Sequence, residues 1–218
     1  MNLKPLPLLL IALAPAFAQA QCITSFPHNQ PFTSGTVGAP GTLPTSWTNL
    51  SGDDLEWNVD NNGTNGSTIL GTGPWTDRTL NDTTANAKYM YVESAGTGST
   101  PSKTAILESP CFNISALGTP YLTFWYHMRG SQMGSLHVDI NANGTVTQGL
   151  WSQSGDQGIY WKQGWLSLAP YAGQTNLKIR FRAITGSGQL SDIALDDVFV
   201  GNLTPVFGCS ETTAANYS

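Results

Sequence analysis

Six short runs in this chain alternate apolar and polar residues with a period of two, and no segment keeps a 3.6-residue apolar repeat for three turns. No other feature narrows the fold as far, because successive side chains of a strand point to opposite faces of a sheet. Leu55-Glu-Trp57-Asn-Val59 is the first run, and Tyr89-Met-Tyr-Val-Glu93 puts Met90 and Val92 on one face. Within Tyr121–Met128, Leu122, Phe124, Tyr126 and Met128 share a face, and Thr123, Trp125 and His127 take the other. Leu136, Val138 and Ile140 alternate with His137 and Asp139; Leu177, Ile179, Phe181 and Ala183 alternate with Lys178, Arg180 and Arg182. Ile193–Val200 completes the set, interrupted by Asp196-Asp197. Gly, Pro, Asn or Ser bounds each run, and 23 Gly with 13 Pro disfavour long helices. A sheet with one apolar face must bury it, so the expectation is all-β, an antiparallel two-sheet β-sandwich.

Charge removes whole classes of partner. Only 11% of residues are charged, with 9 Lys and Arg against 14 Asp and Glu, a net charge of −5. A nucleic-acid binder needs many cations to displace counterions from phosphates, and a basic patch is what holds a protein on anionic lipid. Neither is expected here.

The amino end reads as a targeting segment. Lys4 supplies a positive start, Leu6 to Phe17 is almost wholly apolar, and Ala18-Gln19-Ala20 fits the small-x-small pattern of signal peptidase. Residues 1–20 are therefore expected to be a leader cleaved after Ala20, and no later segment is apolar enough for a membrane span. Export makes the cysteines disulfide candidates. Cys22, Cys111 and Cys209 are odd in number, so one must pair elsewhere or stay free. A Cys22–Cys111 bridge would close a loop of about 90 residues and contribute roughly 4 kcal/mol by chain entropy. Two buried free thiols are the alternative.

Residues 60–87 form a long polar stretch that reads as a loop or lid. Residues 21–201 are expected to be the sandwich domain. Residues 202–218 are polar without an apolar face, a linker followed by something that cannot fold alone.

The order of motifs resembles a MAM domain, the extracellular module of meprins, neuropilins and receptor tyrosine phosphatases. The matching pieces are Asp53-Asp-Leu-Glu-Trp57, Tyr89-Met-Tyr-Val-Glu93, Ala105-Ile-Leu-Glu-Ser-Pro110 and Leu122-Thr-Phe-Trp-Tyr-His-Met-Arg-Gly130. Met133-Gly-Ser-Leu136, Leu150-Trp-Ser-Gln-Ser-Gly-Asp-Gln-Gly158, Trp161 and Ser191-Asp-Ile-Ala-Leu-Asp-Asp-Val198 continue it, over roughly residues 22–201. The resemblance implies a jelly-roll-like sandwich and a non-catalytic adhesion or interaction module. Tyr121 stands where the animal-type pattern carries a cysteine. Cys111 resembles the variant of secreted bacterial multidomain proteins, in which it pairs with the first cysteine. Gly208-Cys209 resembles the opening of a short repeat whose second cysteine lies further on, which implies further domains of the same polypeptide.

Two acidic clusters are candidates for a metal. Asp53, Asp54 and Glu56 lie near the first strands, Asp192, Asp196 and Asp197 in the last, and such strands are often neighbours in a sandwich. Calcium takes six to eight oxygens and offsets repulsion among carboxylates. Strand parity puts Asp197 on the side of Ile193 and Leu195. Asp54 and Asp197 are thus the leading ligands for a structural Ca²⁺, with Asp53, Asp192 and Asp196 behind them. Some members of the resembled family carry a metal ion. Otherwise these residues cap turns, or Asp197 pairs with Arg180 or Arg182.

Catalysis finds little support. Three scattered histidines, no His-Glu-x-x-His, no Gly-x-Ser-x-Gly and no close Glu/Asp cluster on an apolar strand argue against an enzyme. Trp75, Trp151 and Trp161 fall in or beside loops and are candidates for ligand contact, since an aromatic face packs well on a sugar ring. The same side chains could instead fill the core or staple loops. The expected function is a secreted or cell-surface recognition module that holds a protein or glycan through loops and a sheet face. The alternatives are a carbohydrate-binding module and an accessory domain of a secreted protease or hydrolase. Residues 60–87, 129–134 and 152–160 are the expected contact surfaces.

Overall fold

The computed structural model describes residues 21–38, 41–61, 71–81, 83–95 and 101–202; the expected leader and Cys209 lie outside them. Eleven strands are present among these residues: β1 His28–Gln30, β2 Thr48–Asn49, β3 Asn58–Asp60, β4 Tyr89–Val92, β5 Thr104–Glu108 and β6 Pro120–Met128. They continue with β7 Ser135–Ala142, β8 Thr145–Ser154, β9 Lys162–Ser167, β10 Leu177–Ile184 and β11 Ile193–Asn202. One sheet runs β3-β4-β11-β6-β9 with β1 also on β11, and the other runs β2-β5-β10-β7-β8. Every strand pair is antiparallel, and the chain passes from one sheet to the other at most connections. The expected two-sheet sandwich is what forms.

Its core is the set of inward residues that the alternation picked out. Met90, Val92, Leu122, Phe124, Met128, Ile193 and Leu195 from one sheet meet Leu136, Val138, Ile140, Ile179 and Phe181 from the other, all buried. Phe124 and Phe181 meet edge to face across the gap, with centroids 5.1 Å apart. A disulfide joins Cys22 to Cys111 and ties the entering chain to the end of β5. Ile23 donates to the carbonyl of Cys111 beside it.

Three strands carry little of that signal. In β8, Thr145-Val-Thr-Gln-Gly-Leu-Trp-Ser-Gln-Ser lies mostly exposed at a sheet edge, so burial imposes no apolar alternation. In β9 the inward position opposite Phe124 is Gly164, where a Cβ would come within 2.3 Å of the Phe124 ring, and the large Trp165 points outward. Polarity there is inverted. In the short β5, Leu107 and Glu108 are both buried, which also masks a period of two.

A bulge in β11 changes the expected direction of Asp197. Asp196 pairs with Trp125 and Phe199 with Thr123, so β11 holds one residue more than β6 over this stretch. Asp197 takes a positive φ of 46° there. The inward parity passes from Ile193 and Leu195 to Val198 and Val200, and Asp197 is turned away from the core. It does not meet the arginines either. Arg180 and Lys178 bond Glu108 at 2.7 and 2.6 Å, and Arg182 holds Asp139 through Nε at 2.7 Å and Nη2 at 3.0 Å. Burial raises the pKa of Glu108, but those two cationic partners outweigh it and hold the carboxyl below its ordinary value.

Candidate functional site

The outer face of the β3-β4-β11-β6-β9 sheet is covered over one half. Tyr89, Tyr91 and Ala194 form a second buried apolar cluster there, with Trp161 packed against it. Residues 71–81 lie across this face, held by polar groups of β11 and the residues before it. Thr72 donates its hydroxyl to Asp192 at 2.6 Å, the Arg78 amide donates to Asp196 at 2.9 Å, and the Thr79 hydroxyl donates to Asp197 at 2.7 Å. The Arg78 guanidinium stacks 3.9 Å from the Trp125 ring centroid.

A second loop, 155–161, closes on the end of β6. The Gln157 amide donates to the Met128 carbonyl at 2.7 Å. Asp156 accepts the amides of Gly130 and Gly158 at 3.2 and 3.0 Å, joining this loop to the 129–134 turn. Gly130 is fixed by that turn: its φ is 148°, and a Cβ would sit 2.2 Å from the Leu190 carbonyl oxygen. The Trp161 indole donates to the Thr76 carbonyl at 3.0 Å, which links the two loops.

All three segments named by the sequence thus meet around one cleft of about 500 Å³. Pro74, Trp75, Thr76 and Asn81 come from the first, Arg129 from the second, and Ile159, Tyr160 and Trp161 from the third, with His127 of β6 below. Trp75 and Tyr160 are 70% and 71% exposed. Aromatic rings left this bare on a packed domain mark a contact surface more often than a folding requirement.

His127 is 1% exposed and wedged edge-on against Trp161, with ring centroids 5.7 Å apart. Its Nε2 is 3.3 Å from the Ile159 carbonyl, so the hydrogen sits on Nε2. Nδ1 is then a buried lone pair with no hydrogen-bond partner. Burial pushes its pKa down to about 4; the Ile159 bond and Asp156 oppose this, and the Arg129 charge adds to it. Arg129 itself forms no ion pair among the described residues. The cleft thus pairs a neutral imidazole in its floor with a charged guanidinium in its wall. Among the described residues no carboxylate lines it, and no nucleophile there stands hydrogen-bonded to the imidazole.

Of the three tryptophans expected to touch a ligand, the structure treats each differently. Trp75 is free to do so. Trp161 lines the cleft, but its ring is half-buried against Tyr89 and His127 and serves as wall and staple. Trp151 belongs to the core: it sits opposite Val138 and packs edge-on against Phe124 and Tyr126 at 4.9 and 5.2 Å. Two extra residues of β8 between Thr147 and Trp151 set it opposite the inward-facing Val138, which the apparent loop position concealed.

The expected calcium ligands occupy three separate places. Asp53 accepts the Ile106 amide at 2.6 Å, and Asp54 the Thr104 amide at 3.0 Å and the Lys103 ammonium at 3.1 Å, both against β5. Asp192 accepts from Thr72 and from the amide and hydroxyl of Ser94. Asp196 and Asp197 lie at the bulge under the 77–80 segment. Asp196 is fully buried, and its pKa is pushed up to about 8, first by burial and further by the Asp197 and Asp77 charges. Among the described residues no group of three His, Cys, Asp or Glu side chains is arranged to hold a metal ion. Each of the five is hydrogen-bonded to a backbone amide or a side chain of an adjacent segment.

Tyr160, Arg129 and His127 were not legible as site residues. Tyr160-Trp161 beside a Gly-rich loop was a usable signal for the first. Arg129 fell within the expected 129–134 contact surface without being singled out, and nothing in the sequence marked His127, whose role depends on loops folding back over a sheet face.

Comparison with known proteins follows this geometry. The family profile described as MAM domain, meprin/A5/mu matches residues 41–204. MAM domain-containing glycosylphosphatidylinositol anchor protein 2 of Mus musculus is 31% identical over 159 residues, covering 68% of this chain and 16% of that protein. Neuropilin-1 of Rattus norvegicus is 31% identical over 144 residues, covering 65% of this chain and 14% of that one. The chain therefore spans about one sixth of the length of the curated relatives it matches. Among solved structures, the K1 cleaved adhesin domain of Lys-gingipain from Porphyromonas gingivalis W83 superposes with a TM-score of 0.53 at 19% identity, covering 82% of this chain and 99% of that chain. The K2 domain of the same protein gives 0.56 at 18% identity, covering 80% and 97%. These last two share the fold.

Proposed function

Because the chain belongs to the MAM domain family, we propose that it is a non-catalytic extracellular recognition module, exported by its leader and engaging a protein or glycan at a cell surface through the cleft on its outer sheet face. The observation that carries this is the meeting of three loops around exposed Trp75 and Tyr160, which no folding role accounts for. The family supplies the extracellular setting, and among the described residues no helix is long and apolar enough to cross a membrane. Further domains of the same polypeptide, a protease or hydrolase included, would make it their accessory binding unit.

The test uses purified, labelled protein on immobilised cell-surface and extracellular-matrix preparations. Binding that falls at least tenfold in Trp75→Ala/Tyr160→Ala, and survives Trp165→Ala on the open part of the same sheet, supports the cleft. Equal binding by both variants moves the contact surface elsewhere. No binding to any preparation, or turnover of peptide or glycan substrates by the purified protein, overturns the recognition role.

A further inference from the structure

Resting on that assignment of the cleft, we propose that its occupant is a sugar bearing a carboxylate, stacked on Trp75 and Tyr160 and held by Arg129. The protein is net negative, and its other clustered cations are engaged: Lys178 and Arg180 by Glu108, Arg182 by Asp139, Lys103 by Asp54. Arg78 stacks on Trp125. Arg129 has no such partner among the described residues, and it sits in the cleft wall against Gly71, where a Cβ would lie 3.9 Å from its guanidinium nitrogens. Asp156 lies within electrostatic reach of Arg129, its Oδ1 accepting the amides of Gly130 and Gly158, but no ion pair joins the two among the described residues. A planar guanidinium with free N–H groups matches a carboxylate through two parallel hydrogen bonds.

Ring stacking identifies the rest of the ligand. Two large, exposed aromatic side chains in one cleft suit the C–H face of a pyranose, and Thr76 and Asn81, hydrogen-bonded to each other at 3.2 Å, add a hydroxyl and an amide to the lining. The volume of about 500 Å³ lies within the range of small-ligand clefts. His127 beneath stays neutral at physiological pH and so neither repels nor neutralises Arg129.

Calorimetric titration tests the assignment, with glucuronate- and N-acetylneuraminate-containing oligosaccharides each set beside its uncharged counterpart. At least one acidic sugar is expected to bind ten times or more tighter than its counterpart, with affinity falling as salt is raised. Arg129→Gln abolishes that preference, Arg129→Lys keeps part of it, and Trp75→Ala weakens acidic and neutral sugars alike; unchanged melting curves exclude misfolding. Equal affinity for acidic and neutral forms, a preference that survives Arg129→Gln, or a short acidic peptide that competes as well as the sugar overturns the proposal. If surface binding still depends on Trp75 and Tyr160 while no acidic sugar binds, the cleft stands and the ligand assignment falls. If surface binding ignores those residues, both fall.

Discussion

His127 shows how much one side chain can hold in place. It was legible as an outward-facing strand residue, and it is one, yet the 155–161 loop folded over it buries it almost wholly. Its folded pKa of about 4 lies below the ordinary 6.5, so the unfolded chain binds more protons between those values and stability drops as pH falls from 6.5 toward 4. Asp196 acts in the opposite sense: with a folded pKa of about 8, its contribution fades as pH rises from the ordinary carboxylate range through 8. Comparing the wild type with His127→Gln isolates the first effect. The stability advantage of the wild type is expected to shrink by about 2 kcal/mol between pH 6.5 and pH 5 in urea melts, and parallel pH profiles would refute the buried neutral imidazole. The three loop tryptophans divide in the same assay. Trp75→Ala is expected to change stability by less than about 0.5 kcal/mol, because the ring is bare. Trp151→Ala is expected to cost about 3 kcal/mol, because it removes a ring packed on Phe124 and Tyr126. A costly Trp75 or a cheap Trp151 would reverse their assignments.

At the scale of elements, the sequence spoke clearly wherever a strand was apolar on one face and polar on the other. β6 and β10 fall within one residue of their alternating runs at either end, and β7 within two. β9 was silent because its inward position had to be glycine. Gly164→Ala is therefore expected to cost about 1–3 kcal/mol, since Phe124 is packed by Phe181, Trp151 and Tyr126 and has no room to yield. Phe124→Leu should recover part of that loss in the double mutant, and strict additivity would mean the two never touch. The bulge in β11 was silent for a different reason: an extra residue leaves no mark on composition, and it reverses the parity of all that follows. Asp197 tolerates φ 46° as a short polar residue with a hydroxyl partner in Thr79. Asp197→Gly should stay within about 1 kcal/mol of the wild type, whereas Asp197→Val should lose about 2 kcal/mol or more, because a β-branched side chain is strained there. Equal melts for the two variants would argue against the bulge. The carboxylates expected to hold Ca²⁺ are hydrogen-bonded to backbone amides and hydroxyls of adjacent segments, contacts that no residue pattern displays.

Across the whole molecule, the disulfide joins two segments separated by 89 residues. Replacing both cysteines, Cys22→Ser with Cys111→Ser, is expected to lower stability by roughly 4 kcal/mol through the freed denatured chain, read as a drop in urea midpoint with a steeper slope from the less compact denatured state. A loss under about 1 kcal/mol would show that β1 and its neighbours hold without the bridge. The bridge, the pairing of His28 with Val200 and the start of β6 at Pro120 all gather at one end of the sandwich. Ala194, beside His127 and the cleft, lies six residues up β11 from Val200, about 20 Å away at ordinary strand rise. Entry and exit of the polypeptide therefore share a pole remote from the recess. A neighbour attached at that root would leave the crown unobstructed, as a stalk leaves a flower head free to face outward.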